Sequence, residues 1–349
     1  MCAANLRKHL INPVDLRKKI LNILKYIAFT TLGVVLFWLV YRDQDFTKIW
    51  NTLKHDVDYR WILLSLFLGL LSHISRTLRW KIALEPLGEN PRTINTFISV
   101  MFSYLMNLLL PRMGEFVRCG LLSKYEKIPF PKLLGTVITE RIIDMIMLVL
   151  IFGMTMILEM DKILLFGREN PMVVDNLKNL IKSPFLWGGL VLAILGLIYY
   201  LKLNKKKDGI NKIESIYQNL IQGIKSVLAM KRYKAYIAHT IFIWFMYFMM
   251  IYTAFFSLEI TSHLKPLAAL TTFILASFGM LAPVQGGIGA WHFMAEKGLG
   301  LYGVGSADGK LFALLAHSST NAMVVLFGVI CIVLIPIINR KYHPKSDLK

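Results

Sequence analysis

The stretch that decides the fold is NLLLPRMGEFVRCGLL, Asn107–Leu122. It belongs to an apolar segment, Thr93–Leu122, that is interrupted at Pro111 and Gly114 and carries Arg112, Glu115 and Arg118 within two helical turns. Proline lacks the backbone donor that a helix interior needs, and glycine weakens helical continuation, so one unbroken helix is not expected here. A soluble helix can carry such charges anywhere on its surface. In hydrocarbon each ionised group is costly unless it pairs or meets water, so charge at this depth points to a functional site.

The rest of the chain places this segment in a bilayer. Of the 349 residues 56% are hydrophobic and 17% charged, and the mean hydropathy is +0.54. Several runs reach the ~18 or more apolar residues that cross about 30 Å of hydrocarbon. The basic start (Arg7, Lys8, Arg17, Lys18, Lys19, Lys25) leads into an apolar run, Tyr26–Val40, and then YRDQDF, with no small-residue cleavage site. It therefore reads as a retained first span rather than a signal peptide. A net charge of +19 fits the anionic cytoplasmic leaflet, not nucleic acid. Cys2, Cys119 and Cys331 are too widely spaced to indicate a disulfide framework or a metal cluster.

Full spans are predicted near Leu24–Tyr41, Arg60–Leu78, Lys132–Leu158, Pro184–Leu203, Lys234–Leu258 and Gly309–Pro336. A second interrupted segment, Pro266–Leu301, is broken by PVQGGIGAW at Pro283–Trp291. Loop charge decides how both interrupted segments are counted. Up to Lys25 there are six basic residues and one acidic, over Lys202–Lys234 nine and two, and over Asn339–Lys349 four and one. Those three regions belong on the cytoplasmic side. Arg42–Arg60, Met160–Ser183 and Glu259–Pro266 are balanced or nearly so. All strongly basic regions fall inside only if both interrupted segments dip into the membrane and return to the side they entered.

The expected fold is thus an all-α polytopic membrane protein with six full transmembrane helices and two re-entrant broken segments, arranged as an inverted repeat. It forms a single integral membrane domain over residues 1–349. The first half covers 24–160 and the second 184–338, the latter interrupted by a cytoplasmic linker at 205–232. The breaks align: MNLLLPRMGEF against FGMLAPVQGGI pairs Pro111 with Pro283 and Gly114 with Gly286 at an offset of 172. Matching interruptions in two inverted halves point to a transporter site near mid-membrane; a chance match of common membrane-helix residues is the alternative. In the linker Ile210, Ile213, Ile216, Leu220, Ile224 and Val227 recur at helical spacing. This suits either an amphipathic helix on the inner surface or an ordinary helix packed on the protein.

Charged residues concentrate in the first half. Arg76 and Arg79 end the second span, Arg112, Glu115 and Arg118 follow the break, and Glu140, Arg141 and Asp144 lie within TVITERIIDMIMLVL. Glu140 and Asp144 are four apart and share a helix face, with Arg141 about 100° away. That face offers two carboxylates to the arginines, leaving guanidinium groups for an anion such as a phosphate. Mutual pairing that only locks the broken segment in place is the plainer alternative, and Arg76 and Arg79 suit snorkelling to headgroups. In the second half Gln285, Gly286, Gly287, Trp291 and His292 form the corresponding break, suited either to close approach of an anion to backbone N–H groups or to helix packing. His73, His239 and His317 read as interhelical hydrogen bonders, and FMYFMM as lipid-facing or packing surface. No catalytic, metal-binding or cofactor motif is present.

NLLLPRMGEFVR, TERIID and PVQGGIGA together resemble the lysylphosphatidylglycerol synthase transmembrane region family, a flippase-like integral membrane domain. The likeness runs from about Lys25 to Pro336. It rests on Asn107, Pro111, Arg112, Gly114, Glu115, Arg118, Glu140, Arg141 and Asp144, with Arg76, Arg79 and Trp80 upstream, and on Pro283, Gly286, Gly287 and Gly289. Many members carry an acidic residue shortly after those glycines, where this chain has Trp291 and His292. The resemblance implies a lipid-handling protein of a bacterial-type inner (plasma) membrane, multi-pass, with both termini cytoplasmic. Its substrate is expected to be an anionic or aminoacylated phospholipid or a polyprenyl-phosphate-type lipid. The alternatives are a membrane component of lysylphosphatidylglycerol synthesis with aminoacyl-lipid transferase activity, and a small-anion transporter. The family's soluble aminoacyl-transfer domain is expected to be absent, so an enzyme is not favoured. Expected substrate contacts are Arg76, Asn107, Arg112, Glu115, Arg118, Glu140, Arg141, Asp144, Gln285, Gly286, Gly287, Trp291 and His292. Expected partners are membrane phospholipids, with no nucleic acid and homo-oligomerisation left open.

Overall fold

A computed structural model describes residue 31, residues 34–172, residues 175, 179 and 183, residues 230–340 and residue 342. The predicted span Pro184–Leu203, most of the linker at 205–232 and the start of the first span lie outside the described residues. Every ordered element among the described residues is helical. After a helical stretch at 34–41 come α1 (Phe46–His55), α2 (Tyr59–Leu84), α3 (Thr93–Leu109), α4 (Gly114–Glu126), α5 (Phe130–Leu158) and α6 (Met160–Glu169). Then follow α7 (Tyr233–Phe255), α8 (Glu259–Ser262), α9 (Pro266–Gly279), α10 (Ala290–Gly300) and α11 (Ser306–Ile338).

The described helices α2, with the turn that follows it, α5, α7 and α11 are long and apolar enough to cross a membrane. Their outer faces carry large exposed apolar side chains, including Ile142, Ile146, Val149 and Ile157 on α5 and Leu326, Val333 and Ile337 on α11. Contiguous apolar surface of that extent is costly in water and neutral in lipid.

Helix starts follow local chemistry. Asp45 caps α1 by accepting from the Thr47 and Lys48 amides at 2.9 and 3.1 Å, and Asp58 caps α2 by accepting from the Arg60 amide at 3.1 Å. Pro266 occupies the first turn of α9, where its missing donor is harmless. The spans predicted from hydropathy match α5, α7 and α11 to within a few residues. α2 differs: it runs on to Leu84 rather than stopping near Leu78. Arg79 ends the apolar run in the sequence, but its side chain is buried and ion-paired, so the helix continues through it. Two amphipathic helices, α1 and α6, occupy stretches that read as connecting loops.

Both interrupted segments divide into two helices that pack on each other, α3 with α4 and α9 with α10. At 17 residues α3 is about 25 Å long, and α9, at 14 residues, about 21 Å, both short of the ~30 Å hydrocarbon core. α2 lies along α7, and α11 along α3 and α10, so helices from the two ends of the sequence interleave.

Candidate functional site

The break after α3 is built by three residues. Asn107 bends back so that its Oδ1 accepts from the Gly114 amide at 2.8 Å, satisfying a free donor at the start of α4. At Gly114 a β-carbon would lie 2.2 Å from the Ser103 carbonyl oxygen, so only glycine lets α4 approach α3 this closely. Arg112 turns the chain at φ +60, and its Nη2 donates to the Leu281 carbonyl at 2.8 Å, across to the second break. Leu108 meets Gly286 at the same junction, where a β-carbon would sit 2.4 Å from its Cδ2. The two breaks therefore touch directly.

Behind the first break lies a buried ion cluster. Glu140 Oε2 accepts from Arg118 Nη2 at 2.5 Å. Its Oε1 meets Arg76 Nη1 at 2.5 Å, Arg79 Nη2 at 3.1 Å and Arg141 Nη2 at 3.2 Å. Asp144, one turn on, accepts from Arg79 Nη1 at 2.9 Å and Arg76 Nη1 at 3.0 Å. The side chains of Arg76, Arg79, Arg118 and Glu140 are 4% exposed or less. Arg76 and Arg79 thus point inward and do not snorkel. Arg118 also stacks on Trp80, 4.2 Å from the ring, and Trp80 is fixed by donating to Thr136 Oγ1 at 2.9 Å.

Aromatic and hydroxyl groups complete the shell. Arg76 Nη2 donates to Tyr247 at 3.3 Å, Tyr247 and Tyr104 share a hydrogen bond of 3.3 Å, and Arg79 Nη1 donates to Thr240 at 3.2 Å. Residue reading missed Tyr104, Tyr247 and Thr240 as site members. Tyr247 sits inside FMYFMM, which reads as uniformly apolar, and only its position on α7 opposite α2 turns it toward the arginines. Arg79 was likewise left out of the expected contacts, although its spacing, three residues after Arg76 on one helix, is the signal that places it beside Arg76.

Arg141 differs from the other arginines. Its side chain is 42% exposed, 3.9 Å from Glu115 Oε1 and 3.6 Å from Asp144. Four arginines face three carboxylates, which leaves one excess positive charge with Arg141 on the open side. The Nε atoms of Arg76, Arg79 and Arg118 are buried without a hydrogen-bond partner among the described residues. Each such donor costs on the order of 1–3 kcal/mol, so this cluster is not fully satisfied by itself.

The second-half residues form a different network. Gly286, Gly287 and Gly289 turn the chain at φ +54, +77 and +81. His317 Nε2 donates to the Gly286 carbonyl at 2.9 Å, Trp291 stacks on the His317 ring at 4.9 Å, and His292 Nδ1 accepts from the Gly289 amide at 3.1 Å. His292 also meets the edges of Phe37 and Tyr41. Gln285 is buried in the turn. Of the predicted contacts, Arg76, Glu115, Arg118, Glu140, Arg141 and Asp144 come together. Asn107 and Arg112 shape and join the breaks, and Gly286, Gly287, Trp291 and His292 build the second turn. Among the described residues no group of histidine, cysteine or carboxylate side chains is arranged to hold a metal.

The family model described as the lysylphosphatidylglycerol synthase TM region matches residues 23–328. The UPF0104 membrane protein MJ1595 of Methanocaldococcus jannaschii is 32% identical over 87 residues, 24% of this chain and 26% of that protein. The chain therefore aligns with about a quarter of that relative's length. No solved structure matches.

Proposed function

The chain belongs to the lysylphosphatidylglycerol synthase TM region family, and on that premise we propose that it is a flippase-like lipid transporter. It binds the headgroup of an anionic or aminoacylated phospholipid, or a polyprenyl-phosphate-type lipid, at the buried ion cluster. The single observation that carries this reading is the position of Glu140 and Asp144. They lie near the middle of the 29-residue apolar helix α5 and, together with Glu115, face four arginines, which leaves one excess positive charge. Intramembrane charge of that density serves a pathway or a ligand far more readily than it serves stability, because an apolar core of equal volume is as stable or more so.

In this reading α3–α4 and α9–α10 are re-entrant hairpins from opposite leaflets, and their breaks meet at Arg112–Leu281 and Leu108–Gly286. The two halves are inverted copies that rock about this junction and expose the cluster alternately to each side. The basic regions face the cytoplasm of a bacterial-type inner membrane. Arg141, half-exposed, makes first contact with the phosphate, while Glu115 and Asp144 balance its charge or receive a cationic headgroup.

Proteoliposomes loaded with a fluorescent short-chain phosphatidylglycerol test this reading. Dithionite is expected to bleach the inner-leaflet probe at a rate set by protein density, and Glu140→Gln to remove that rate. A rate equal to that of protein-free vesicles for phosphatidylglycerol, lysyl-phosphatidylglycerol and a polyprenyl phosphate alike defeats the proposal. Uptake of soluble phosphate without lipid movement favours a small-anion transporter instead.

A further inference from the structure

A second polar site lies outside this cluster. Where α2 ends and α7 begins, a cavity of about 330 Å³ is lined by Lys81, Glu85, Asn90, Arg232 and His239, with Leu78 on its wall. That volume is at the lower end of the ~300–1,000 Å³ typical of small-ligand sites. Its lining holds two fixed cations against one carboxylate. Arg232 Nη1 meets Glu85 Oε1 at 2.9 Å with side chains 60% and 40% exposed, and Lys81 Nζ donates to Thr93 Oγ1 at 2.8 Å. An ion pair this exposed is screened by solvent and weak, so a phosphate oxygen can replace the carboxylate at little cost. Guanidinium and ammonium groups with an amide donor beside them suit a phosphate ester.

The surroundings select a lipid over a free anion. Leu78, Ile74, Phe67 and Leu63 are all exposed on α2. Their spacing of four, seven and four residues keeps them on one face, a stripe about 22 Å long that starts at the cavity. An acyl chain laid along it keeps its phosphate at Lys81 and Arg232. The cavity is also next to the ion cluster: His239 Nδ1 lies 2.8 Å from Ser75 Oγ, Ser75 precedes Arg76, and Thr240 accepts from Arg79.

We propose that this cavity is a headgroup-binding site for a phosphodiester lipid, loaded from the leaflet of the basic loops, with the phosphate held by Lys81 and Arg232 and the acyl chains along α2. It rests on the transport reading for its role as a loading station, and on its own residues for binding. The test uses the full chain in detergent, with binding of dioctanoyl phosphatidylglycerol, dioctanoylglycerol and inorganic phosphate measured at equilibrium. Dioctanoyl phosphatidylglycerol is expected to bind, with the other two at least about tenfold weaker. Lys81→Gln and Arg232→Gln should each weaken it about tenfold, the effect of one charge-assisted hydrogen bond. Asn90→Trp, which fills the cavity and leaves both cations, should do the same. Inorganic phosphate binding as tightly as the lipid overturns the proposal in favour of a soluble-anion site. Unchanged lipid affinity in the three variants, or no lipid binding by the wild type, also overturns it. Wild-type protein that binds at this site but moves no lipid defeats the transport reading alone, and transport with unaltered binding in the variants defeats this site alone.

Discussion

Glu140 is in ionic contact with four arginines, Arg76, Arg79, Arg118 and Arg141, and so holds three helices to one carboxylate. Removing its charge leaves buried guanidinium groups uncompensated, a loss of about 3–5 kcal/mol for one partner of a buried pair. Glu140→Gln should therefore lower the unfolding midpoint in detergent sharply, whereas Glu115→Gln, at a longer and partly exposed contact, should change it little. Equal midpoints for the two variants would contradict the geometry. Arg118→Lys keeps the charge but loses the planar stack on Trp80, and we expect a smaller destabilisation, read in the same melt. At this scale the sequence was informative about which residues mattered and silent about their partners. The spacing of Glu140 and Asp144 fixes their common face. It does not say that Arg76 and Arg79, more than sixty residues earlier, lie against that face.

The hairpin α3–α4 depends on backbone proximity that side chains cannot relieve. In Gly114→Ala the new methyl would press on the Ser103 carbonyl, which belongs to the helix backbone and cannot rotate away. Overpacking of this kind costs about 1–3 kcal/mol, and the expected readout is a lower melting midpoint with faster hydrogen exchange in α3 and α4. Arg112 sets a different balance. It holds a left-handed backbone that glycine adopts freely, and it reaches the Leu281 carbonyl. Arg112→Gly relieves the first and removes the second, so global stability should shift by under about 1 kcal/mol while amides at 281–288 exchange faster. Unaltered exchange there would mean the two breaks are not coupled through this bond. The positions of both breaks were readable, because Pro111, Gly114 and the glycines between Gly286 and Gly289 disfavour a continuous helix through local backbone chemistry alone. The contact between them was not, since it joins residues about 170 positions apart.

The molecule as a whole is organised by interleaving, with α2 beside α7 and α11 beside α3. Its sidedness is open to direct measurement. Asp45→Cys, in the balanced region before α1, should react with an impermeant maleimide applied to intact cells, and Lys231→Cys, in the basic region before α7, should react only after permeabilisation. Labelling of both from one side would remove the inverted arrangement. By itself the sequence determined the membrane class, most helix boundaries, the two interruptions and the residues that carry charge into the apolar layer. Those properties follow from local quantities: run length, proline and glycine content, and charge per loop. Only the tertiary structure decided that Arg76 and Arg79 turn inward, that Tyr247 faces them, that Arg141 is left on the open side and that Trp291 and His292 pack around His317. Periodicity fixes an angle around one helix axis, and burial and ion pairing depend on which other helix occupies that angle.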